Sequence, residues 1–196
     1  MIALERKNVF LQKYSDALEE RVEILEQREK EKVVELACVD EAENENLEEV
    51  VLSIAQNLDL KVDDIDHIKR VGSPLKKAAG AQSGEQRRRR ARPIMVTMRT
   101  RAARDQWMSK RKTRLTNGTI YGNNSNQRIY LNEDMTRHKR QLFWSARNQL
   151  KPTYKYVWFQ RSNILVKKNE EEGKIYNIKC EEDIKSLIDK TVNNSK

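Results

Sequence analysis

Residues 33–71 read VVELACVDEAENENLEEVVLSIAQNLDLKVDDIDHIKRV, and this stretch decides the fold class. Its first seven residues, 33–39, are mostly apolar and partly β-branched, which is typical of a buried strand. Residues 65–71 form a second strand-like run, which contains the basic residues Lys69 and Arg70. Between the two runs lies a segment with the periodicity of an amphipathic helix. The stretch therefore predicts a strand-helix-strand unit in a fold that mixes helices and strands (α+β).

The predicted helix has both a start signal and an apolar face. Asn46 stands at the N-cap position, and Glu49 follows at the spacing of a capping box. The apolar side chains recur at the spacing of one helix face, and they are Leu47, Val50, Val51, Ile54 and Leu58.

Residues 72–92, GSPLKKAAGAQSGEQRRRRAR, contain almost no large apolar side chain. Such a segment buries too little surface to fold, so we predict a disordered basic loop. A strand is expected to resume at 93–98. A helix over 100–111, capped by its Thr at the start, is expected to turn Ala103 and Trp107 inward. Its basic side chains are then left for solvent: Arg101, Arg104, Lys110 and Arg111.

The pattern changes after residue 114. Turn signals at Asn117-Gly118 and Gly122-Asn123-Asn124 predict a linker over residues 115–127. A small second domain, 128–190, is predicted to contain a strand, a helix capped by Thr136, a hairpin, another strand and a last helix. The expected spans are 128–131, 137–150, 154–159 with 164–167, 175–178 and 181–189, and the tail at 191–196 is expected to fray.

Residues 3–31 contain no Gly or Pro and repeat leucine every seven residues. This spacing predicts a coiled coil over residues 1–31, and with it a homo-oligomer, either a dimer or a trimer. The residues expected at the contact are Leu4, Asn8, Leu11, Leu18, Val22 and Leu25. A competing seven-residue repeat of Phe10, Ala17 and Ile24 leaves the register open. A lone amphipathic helix packed on its own domain is the alternative interpretation.

Charge is distributed unevenly along the 196 residues, which carry a net charge of +9. Residues 1–64 have 8 Lys and Arg against 18 Asp and Glu (−10), and residues 65–114 have 16 against 3 (+13). Residues 115–196 have 15 against 9 (+6). A basic block beside an acidic third favours a polyanionic partner such as nucleic acid. Charged faces that only meet solvent are the alternative.

Cysteine usage and hydropathy bear on the compartment. Cys38 and Cys180 lie far apart in predicted elements, so we expect buried, reduced thiols and no disulfide. No run approaches the ~20 apolar residues of a membrane span. The N-terminus lacks the long apolar core of a signal peptide. We therefore expect a cytoplasmic or nuclear protein without a membrane partner.

The sequence contains no recognisable catalytic motif. Its histidines are His67 and His138, and neither cysteine lies near them along the chain. No Gly-rich phosphate loop, HExxH or GxSxG pattern is present. The expectation is therefore a protein that is not an enzyme, with no catalytic residue, no cofactor and no metal site.

Three groups of basic residues are candidate phosphate contacts, because Lys and Arg neutralise the nucleic-acid backbone. The first comprises Arg87, Arg88, Arg89, Arg90 and Arg92, which could alternatively be a nuclear localisation signal or a solvated linker. The second comprises Arg99, Arg101, Arg104, Lys110, Arg111, Lys112 and Arg114. The third comprises Arg137, Lys139, Arg140, Arg147 and Lys151, for which a plain solvated helix face is the alternative.

Aromatic residues concentrate in the predicted hairpin. In a regular strand Tyr154, Tyr156 and Trp158 point one way, and Val157 and Phe159 point the other. One row must build the core, and one alternative is that the whole segment is core. The sharper hypothesis is that one or two residues of the first row stack on bases. The cations beside that row are Lys155, Lys167 and Lys168.

Several stretches resemble known families. NENLEEVVLSIAQNLDL with VDDIDHIKRVG, and RPIMVTM with RAARDQW, resemble the RNA-recognition-motif-like domain of LINE-type retrotransposon first-reading-frame proteins. IYLNEDMTRHKRQLFWSAR followed by YKYVWFQRSNILVKKNEEEGKIYNI resembles the C-terminal domain of the baculovirus few-polyhedra (FP) protein. The resemblance covers about residues 3–190. It implies a coiled coil at 1–31, an RNA-recognition-motif-like domain at 32–114 and an FP-type domain at 128–190. It also implies binding of RNA or single-stranded nucleic acid, and self-association.

The sequence departs from the RNA-recognition motif in one respect. That motif stacks bases on aromatic residues of its two central strands, whereas VVELACV and PIMVTM contain none. Binding is therefore expected to depend on phosphates and to ignore base sequence. Two functions remain open: a transposon-type nucleic-acid chaperone that self-associates, and a coiled-coil adaptor or viral structural protein without strong nucleic-acid binding.

Overall fold

A computed structural model describes residues 2–73, 91–171 and 173–193. In chain order its elements are α1 (Ile2–Lys30), β1 (Val33–Ala37), α2 (Leu47–Asn57), β2 (Ile65–Arg70), β3 (Ile94–Met98), α3 (Arg101–Ser109), β4 (Leu115–Thr116), α4 (Asn117–Tyr121), β5 (Arg128–Glu133), α5 (Arg137–Leu150), β6 (Tyr156–Gln160), β7 (Asn163–Lys167), β8 (Tyr176–Ile178) and α6 (Glu181–Asn193). The mixture of helices and antiparallel strands confirms the predicted α+β class.

The chain divides into two compact units. The central unit comprises Lys32–Asp134, and the terminal unit comprises Met1–Glu31 together with Met135–Lys196. The N-terminal helix therefore belongs with the C-terminal residues and not with the sheet that follows it along the chain.

The central unit is built on an antiparallel sheet with the strand order β2-β3-β1-β5-β4. In β1, Val34 and Leu36 are fully buried, whereas the residues between them are half-exposed. The buried row packs with Ile54 of α2 and Trp107 of α3 in one core. One sheet face is thus covered by helices, as the predicted inward positions of the α2 and α3 residues require.

The start of α2 confirms the predicted N-cap. The side chain of Asn46 accepts hydrogen bonds from the backbone N–H groups of Glu48 and Glu49, at 3.1 and 3.4 Å. Asn46 Nδ2 also donates to Glu49 Oε1 at 2.9 Å. These bonds satisfy N–H groups that have no partner inside the first turn of a helix.

The predicted boundary between the domains is wrong. Residues 115–127 are not a linker, and the strand that begins at residue 128 does not belong to the second domain. β5 pairs with β1 from Val34↔Glu133 to Ala37↔Tyr130, and β4 pairs with β5. The reason is that Ile129 and Leu131 point into the central core, where they complete the sheet beside β1.

Asn117 shows why turn signals misled the prediction. It is buried at the start of α4, which is capped by Thr116. Its Nδ2 donates to the carbonyl of Cys38 at 2.8 Å, and its Oδ1 accepts from the N–H of Asp40 at 3.0 Å. A residue type typical of turns here uses its side chain to hold the loop after β1.

The terminal unit packs α5 and α6 on an antiparallel sheet with the order β6-β7-β8. Leu142, Ala146 and Leu150 of α5 meet Ile164 of β7 and Ile184 of α6 in its core. The predicted hairpin is confirmed over its expected turn, where Arg161 and Ser162 both have positive φ (49° and 62°), as a two-residue turn of type I′ requires.

Two smaller predictions need correction. Cys180 is exposed and not buried, because it lies just before α6 instead of inside a strand, while Cys38 is half-buried; both thiols are free. α6 continues to Asn193, so residues 191–193 of the predicted tail are helical. Residues 194–196 lie outside the described part of the chain, as does most of the predicted basic loop, residues 74–90.

The N-terminal residues form one continuous helix, α1, as predicted. Only its C-terminal part packs within the terminal unit, where Gln27 is buried and its Oε1 accepts from the N–H of Thr136 at 3.2 Å. The leucine row is exposed, with 71, 49, 46 and 52% of Leu4, Leu11, Leu18 and Leu25 accessible. Within the described ranges, no helix is both long enough and apolar enough to cross a bilayer.

Candidate nucleic-acid interface

Helix α5 presents a continuous basic surface to solvent. Its core side is fixed by Leu142, Ala146 and Leu150, and its start by Thr136, whose Oγ1 accepts from the N–H of Lys139 at 3.2 Å. At about 100° per residue, the exposed cations lie within about 80° of the side opposite this core. We call these residues, with the tryptophan at their centre, the α5 face: Arg137, Arg140, Trp144, Arg147 and Lys151.

Trp144 is the residue that the sequence-based prediction missed. It is 68% exposed, and it lies two residues after Leu142 and two before Ala146, which places it on the opposite side of the helix. The signal was available in the sequence, because the same periodicity that identifies the core also places Trp144 among the arginines.

The charges at the start of α5 are not arranged to stabilise the helix, whereas Arg147 in its last turn is favourably placed. The helix contains no Asp or Glu, and its first turn carries Arg137, Lys139 and Arg140. Cations near a helix N-terminus face the positive end of the helix dipole and are unfavourable there. Glu23 of α1 offsets part of this effect, because its carboxylate accepts a hydrogen bond from the Thr136 hydroxyl. Helix stability therefore does not explain the cations in the first turn of α5.

Lys139 is an exception within the predicted group, because it does not point outward. It is half-buried, and its Nζ donates to the carbonyl of Ser162 at 3.0 Å. Burial lowers the pKa of Lys139, and Glu23 nearby opposes part of that shift. Lys139 therefore attaches α5 to the hairpin turn and does not belong to the α5 face.

The hairpin separates the predicted aromatic row into two parts. Tyr154 is in the core, with 3% of its surface accessible and its ring packed edge-on against Tyr176 at 6.2 Å. Its ring is therefore not available to a base, contrary to the prediction. Tyr156 and Trp158 are half-exposed and lie on the opposite sheet face from Phe159, as the alternation predicted.

A carboxylate already engages the cations beside Tyr156. Glu170 Oε1 accepts from Lys155 Nζ and from the Tyr156 hydroxyl, each at 2.6 Å. Lys167 Nζ donates to the backbone carbonyl of Glu170 at 3.3 Å. The bond from Lys155 lowers the pKa of Glu170, and the bond from Tyr156 lowers it further. This surface is thus less available to an anion than the α5 face; Lys168 beside it is half-exposed.

In the central unit, Arg92 is engaged in holding two loops together. Its guanidinium donates to Glu41 through Nε at 2.9 Å and Nη2 at 2.5 Å, and its N–H donates to the same carboxylate at 3.2 Å. The side chain of Arg70 beside it is 4% accessible and donates to Glu45 and to the carbonyl of Asp40. Arg92 is therefore a structural residue, which corrects its assignment to the polyarginine group.

Arg104 is buried, so the prediction that it faces solvent is wrong. It is 5% accessible, and its Nη1 lies 2.9 Å from Asp105 Oδ1 and 3.7 Å from Glu133 Oε1. Glu133 reaches it from the buried side of β5, a contact that no local pattern could indicate. The other predicted cations around α3 remain accessible: Arg99, Arg101, Lys112 and Arg114 are exposed, and Lys110 and Arg111 are half-exposed. Arg87–Arg90 lie outside the described residues.

The open face of the central sheet carries mixed charges. Its central strands hold no aromatic residue, and Glu35 of β1 accepts from Asn132 Nδ2 of β5 at 3.2 Å. An exposed ring does stand on β5, where the Arg128 guanidinium lies 5.2 Å from the centre of Tyr130. A carboxylate in the middle of the sheet is unfavourable to a phosphate backbone, so this face is a weaker candidate than α5.

These features define a two-unit α+β protein with a basic surface on a helix of its terminal unit. Family models for baculovirus FP protein domain 1 and domain 2 match residues 31–131 and 136–188. The first match alone covers more than half of the chain, and the chain belongs to the baculovirus FP protein family. The two matches meet close to the boundary between the structural units at Asp134 and Met135. Among curated proteins, no significant match exists.

Proposed function

We propose that this protein binds RNA or single-stranded nucleic acid through phosphate contacts, without reading base sequence, and that it self-associates through α1. It acts as a binding protein and not as an enzyme. The observation that carries the proposal is the α5 face, where Arg137, Arg140, Arg147 and Lys151 surround one side of a helix that has no acidic residue. Phosphates are the groups that such a set of cations binds.

The position of these cations favours binding. The three arginines belong to a helix whose other side is packed in a core, and Lys151 is the C-cap of that helix, so mainly side chains must be ordered when a ligand binds. Ordering a flexible segment reduces the free energy of binding, whereas charges on a packed helix avoid most of that loss. Arg70, Arg92 and Arg104 of the central unit have carboxylate partners. The Arg147 guanidinium of the α5 face lies 5.7 Å from the centre of the Phe143 ring.

The topology of the central unit supports an RNA-recognition-motif-like fold as the finer description. Four of its strands follow the order β2-β3-β1-β5, with α2 between β1 and β2 and α3 between β3 and β5. This arrangement is that of the split β-α-β fold on which RNA-recognition motifs are built. Because the central strands lack aromatic residues, that sheet serves as a scaffold and not as a base-stacking surface. We extend the proposal to a relationship with LINE-type retrotransposon first-reading-frame proteins, which rests on the resemblance of the sequence stretches at 44–72 and 92–107.

Self-association is supported by the side of α1 that stays exposed. Gln27, which is buried in the terminal unit, lies about 180° around the helix from Leu18. The row of Leu4, Leu11, Leu18 and Leu25 thus faces away from the rest of its unit. A second copy of α1 covers such a row in a coiled coil, and Asn8 at a core position favours two strands. Joining two α5 faces raises avidity without any new contact.

A salt titration tests this function. The full chain is titrated with a fluorescent single-stranded RNA at several salt concentrations. Each neutralised phosphate contributes about −0.7 to the slope of log affinity against log salt, so several contacts give roughly −3 or steeper. Homopolymers of different base should bind within a few-fold of one another, since phosphate contacts carry no sequence information. Absence of binding at low salt would leave the adaptor function, which needs only the exposed leucine row.

A further inference from the structure

Trp144 is unusual because it exposes the largest apolar side chain of α5 to solvent. Of its surface 68% is accessible, whereas Trp107 is buried and Trp158 is half-exposed. Aromatic side chains normally bury most of their surface, and that burial is favourable. No core contact on its own unit explains this position, because the apolar side of α5 is already complete with Leu142, Ala146 and Leu150.

The surroundings of Trp144 indicate which ligand covers it. Arg140 is one turn before it and Arg147 is about one turn after it, at the distance where helix side chains are neighbours. The other neighbours on this side are the polar Gln141 and Asn148. A contiguous apolar patch is the usual sign of a protein-docking surface, and these neighbours of Trp144 are all polar or charged. An exposed ring among cations is the combination by which proteins bind single-stranded nucleic acids, with phosphates on the cations and a base on the ring.

We infer that Trp144 is a base-stacking residue, whose indole ring packs against an unpaired base while the neighbouring arginines hold the flanking phosphates. The inference rests on the proposed function and adds a base contact to it. Stacking tolerates any base, because every base has a π face, so this contact is compatible with binding that ignores sequence. It also requires a single strand, since bases inside a duplex do not expose their faces.

The test compares two strands of the same length and charge. One is an oligonucleotide with normal bases, and the other has abasic sugars throughout. The full-length wild type, Trp144→Ala, Trp144→Phe and the control Gln141→Ala are titrated with both strands. Gln141 is on the same side of α5 and is exposed, so its variant controls for a change at this surface. Since Trp144 is exposed, melting curves of all variants should agree with that of the wild type.

The expected result is specific to bases. Trp144→Ala should weaken binding to the normal strand by about fivefold to a hundredfold, the range found for one stacked base. It should leave affinity for the abasic strand and the salt slope unchanged. Trp144→Phe should retain most of the affinity, and Gln141→Ala should behave like the wild type.

Two results would overturn the inference, and they differ in what they say of the proposed function. If the wild type binds the normal strand and Trp144→Ala binds it equally well, or loses the same factor on both strands, stacking is wrong while phosphate binding stands. Trp144 would then be assigned to a protein contact. If the wild type binds neither strand even at low salt, the proposed function fails together with the inference.

Discussion

Three arginines of the central unit and two of α5 belong to the same basic chain, but their surroundings are opposite. Arg70, Arg92 and Arg104 are paired with carboxylates, and the side chains of Arg70 and Arg104 are buried. Arg137 and Arg147 lie exposed on a helix without acidic residues. The density of charge along a sequence therefore does not show which cations are paired with carboxylates and which are exposed. The basic block at 65–114 contains the paired arginines beside exposed cations such as Arg99 and Arg114, whereas the less charged C-terminal region places its exposed arginines on a helix without an acidic residue.

Substitution of a paired arginine should have the largest effect on stability. Arg70→Ala removes a buried guanidinium and leaves Glu45 without its charged partner. Losing one member of a buried ion pair destabilises by about 3–5 kcal/mol, so we expect a loss of that order in the free energy of unfolding. Arg137→Ala, as the matched control on α5, should change it by no more than about 0.5 kcal/mol. Urea unfolding measures the free energy of unfolding of both variants. Equal losses in the two variants would contradict the difference between paired and exposed arginines.

A second experiment compares the α5 face with the polyarginine segment. Arg137→Ala with Arg140→Ala and Arg147→Ala should weaken binding of single-stranded RNA more than deletion of residues 76–90. The reason is that charges on a packed helix lose less entropy on binding than those of a segment predicted to be disordered. Both changes should act equally on all base sequences. The affinities of both variants are measured at one fixed salt concentration, and melting curves check that both variants still fold. If the deletion weakens binding more than the triple substitution does, Arg87–Arg90 are the main phosphate contacts.

The leucine row of α1 should control assembly. Leu11→Glu with Leu18→Glu keeps strong helix formers but places charges on the row. We expect a lower mass in sedimentation and weaker binding of long RNA, because linked sites are lost. Val9→Glu is the control, since Val9 is exposed about 180° around the helix from Leu18. An unchanged mass in the double variant would instead favour a lone amphipathic helix that packs only on its own unit.

The smallest expected effect is on acid stability. The hydrogen bond from Arg92 lowers the pKa of Glu41 below its ordinary value. The pair therefore contributes its full stability above that value, and the contribution is lost as the pH falls through the lowered pKa. Glu41→Gln should reduce the free energy of unfolding by about 1 kcal/mol at neutral pH. The free energies of unfolding of the wild type and of Glu41→Gln, measured from pH 7 to pH 3, should become equal at the acid end. A difference that stays constant over this pH range would contradict the role of the pair.

Local sequence patterns predicted the helices and strands better than they predicted the tertiary contacts between them. The cap at Asn46 and the core side of α5 depend on neighbours within one or two helical turns, so periodicity was sufficient to find them. The place of β5 depends on pairing with β1, whose residues lie nearly a hundred positions earlier, and only tertiary structure supplies that information. The same holds for Arg104, since its partner Glu133 is on β5. Trp144 was different, because its exposed position followed from the periodicity of α5 itself.

The most direct test of the account compares charge at two places in the terminal unit. Arg137→Ala with Arg140→Ala and Arg147→Ala removes three positive charges from α5. Lys179→Ala with Lys185→Ala and Lys190→Ala removes three exposed charges at or near α6, so both triple variants have the same net charge. The salt slope of RNA binding should become less steep by about 2 in the α5 variant, at about 0.7 per phosphate, and should stay near the wild-type value in the α6 variant. Equal slopes in the two variants would contradict a binding surface on α5 and would mean that only the overall charge matters.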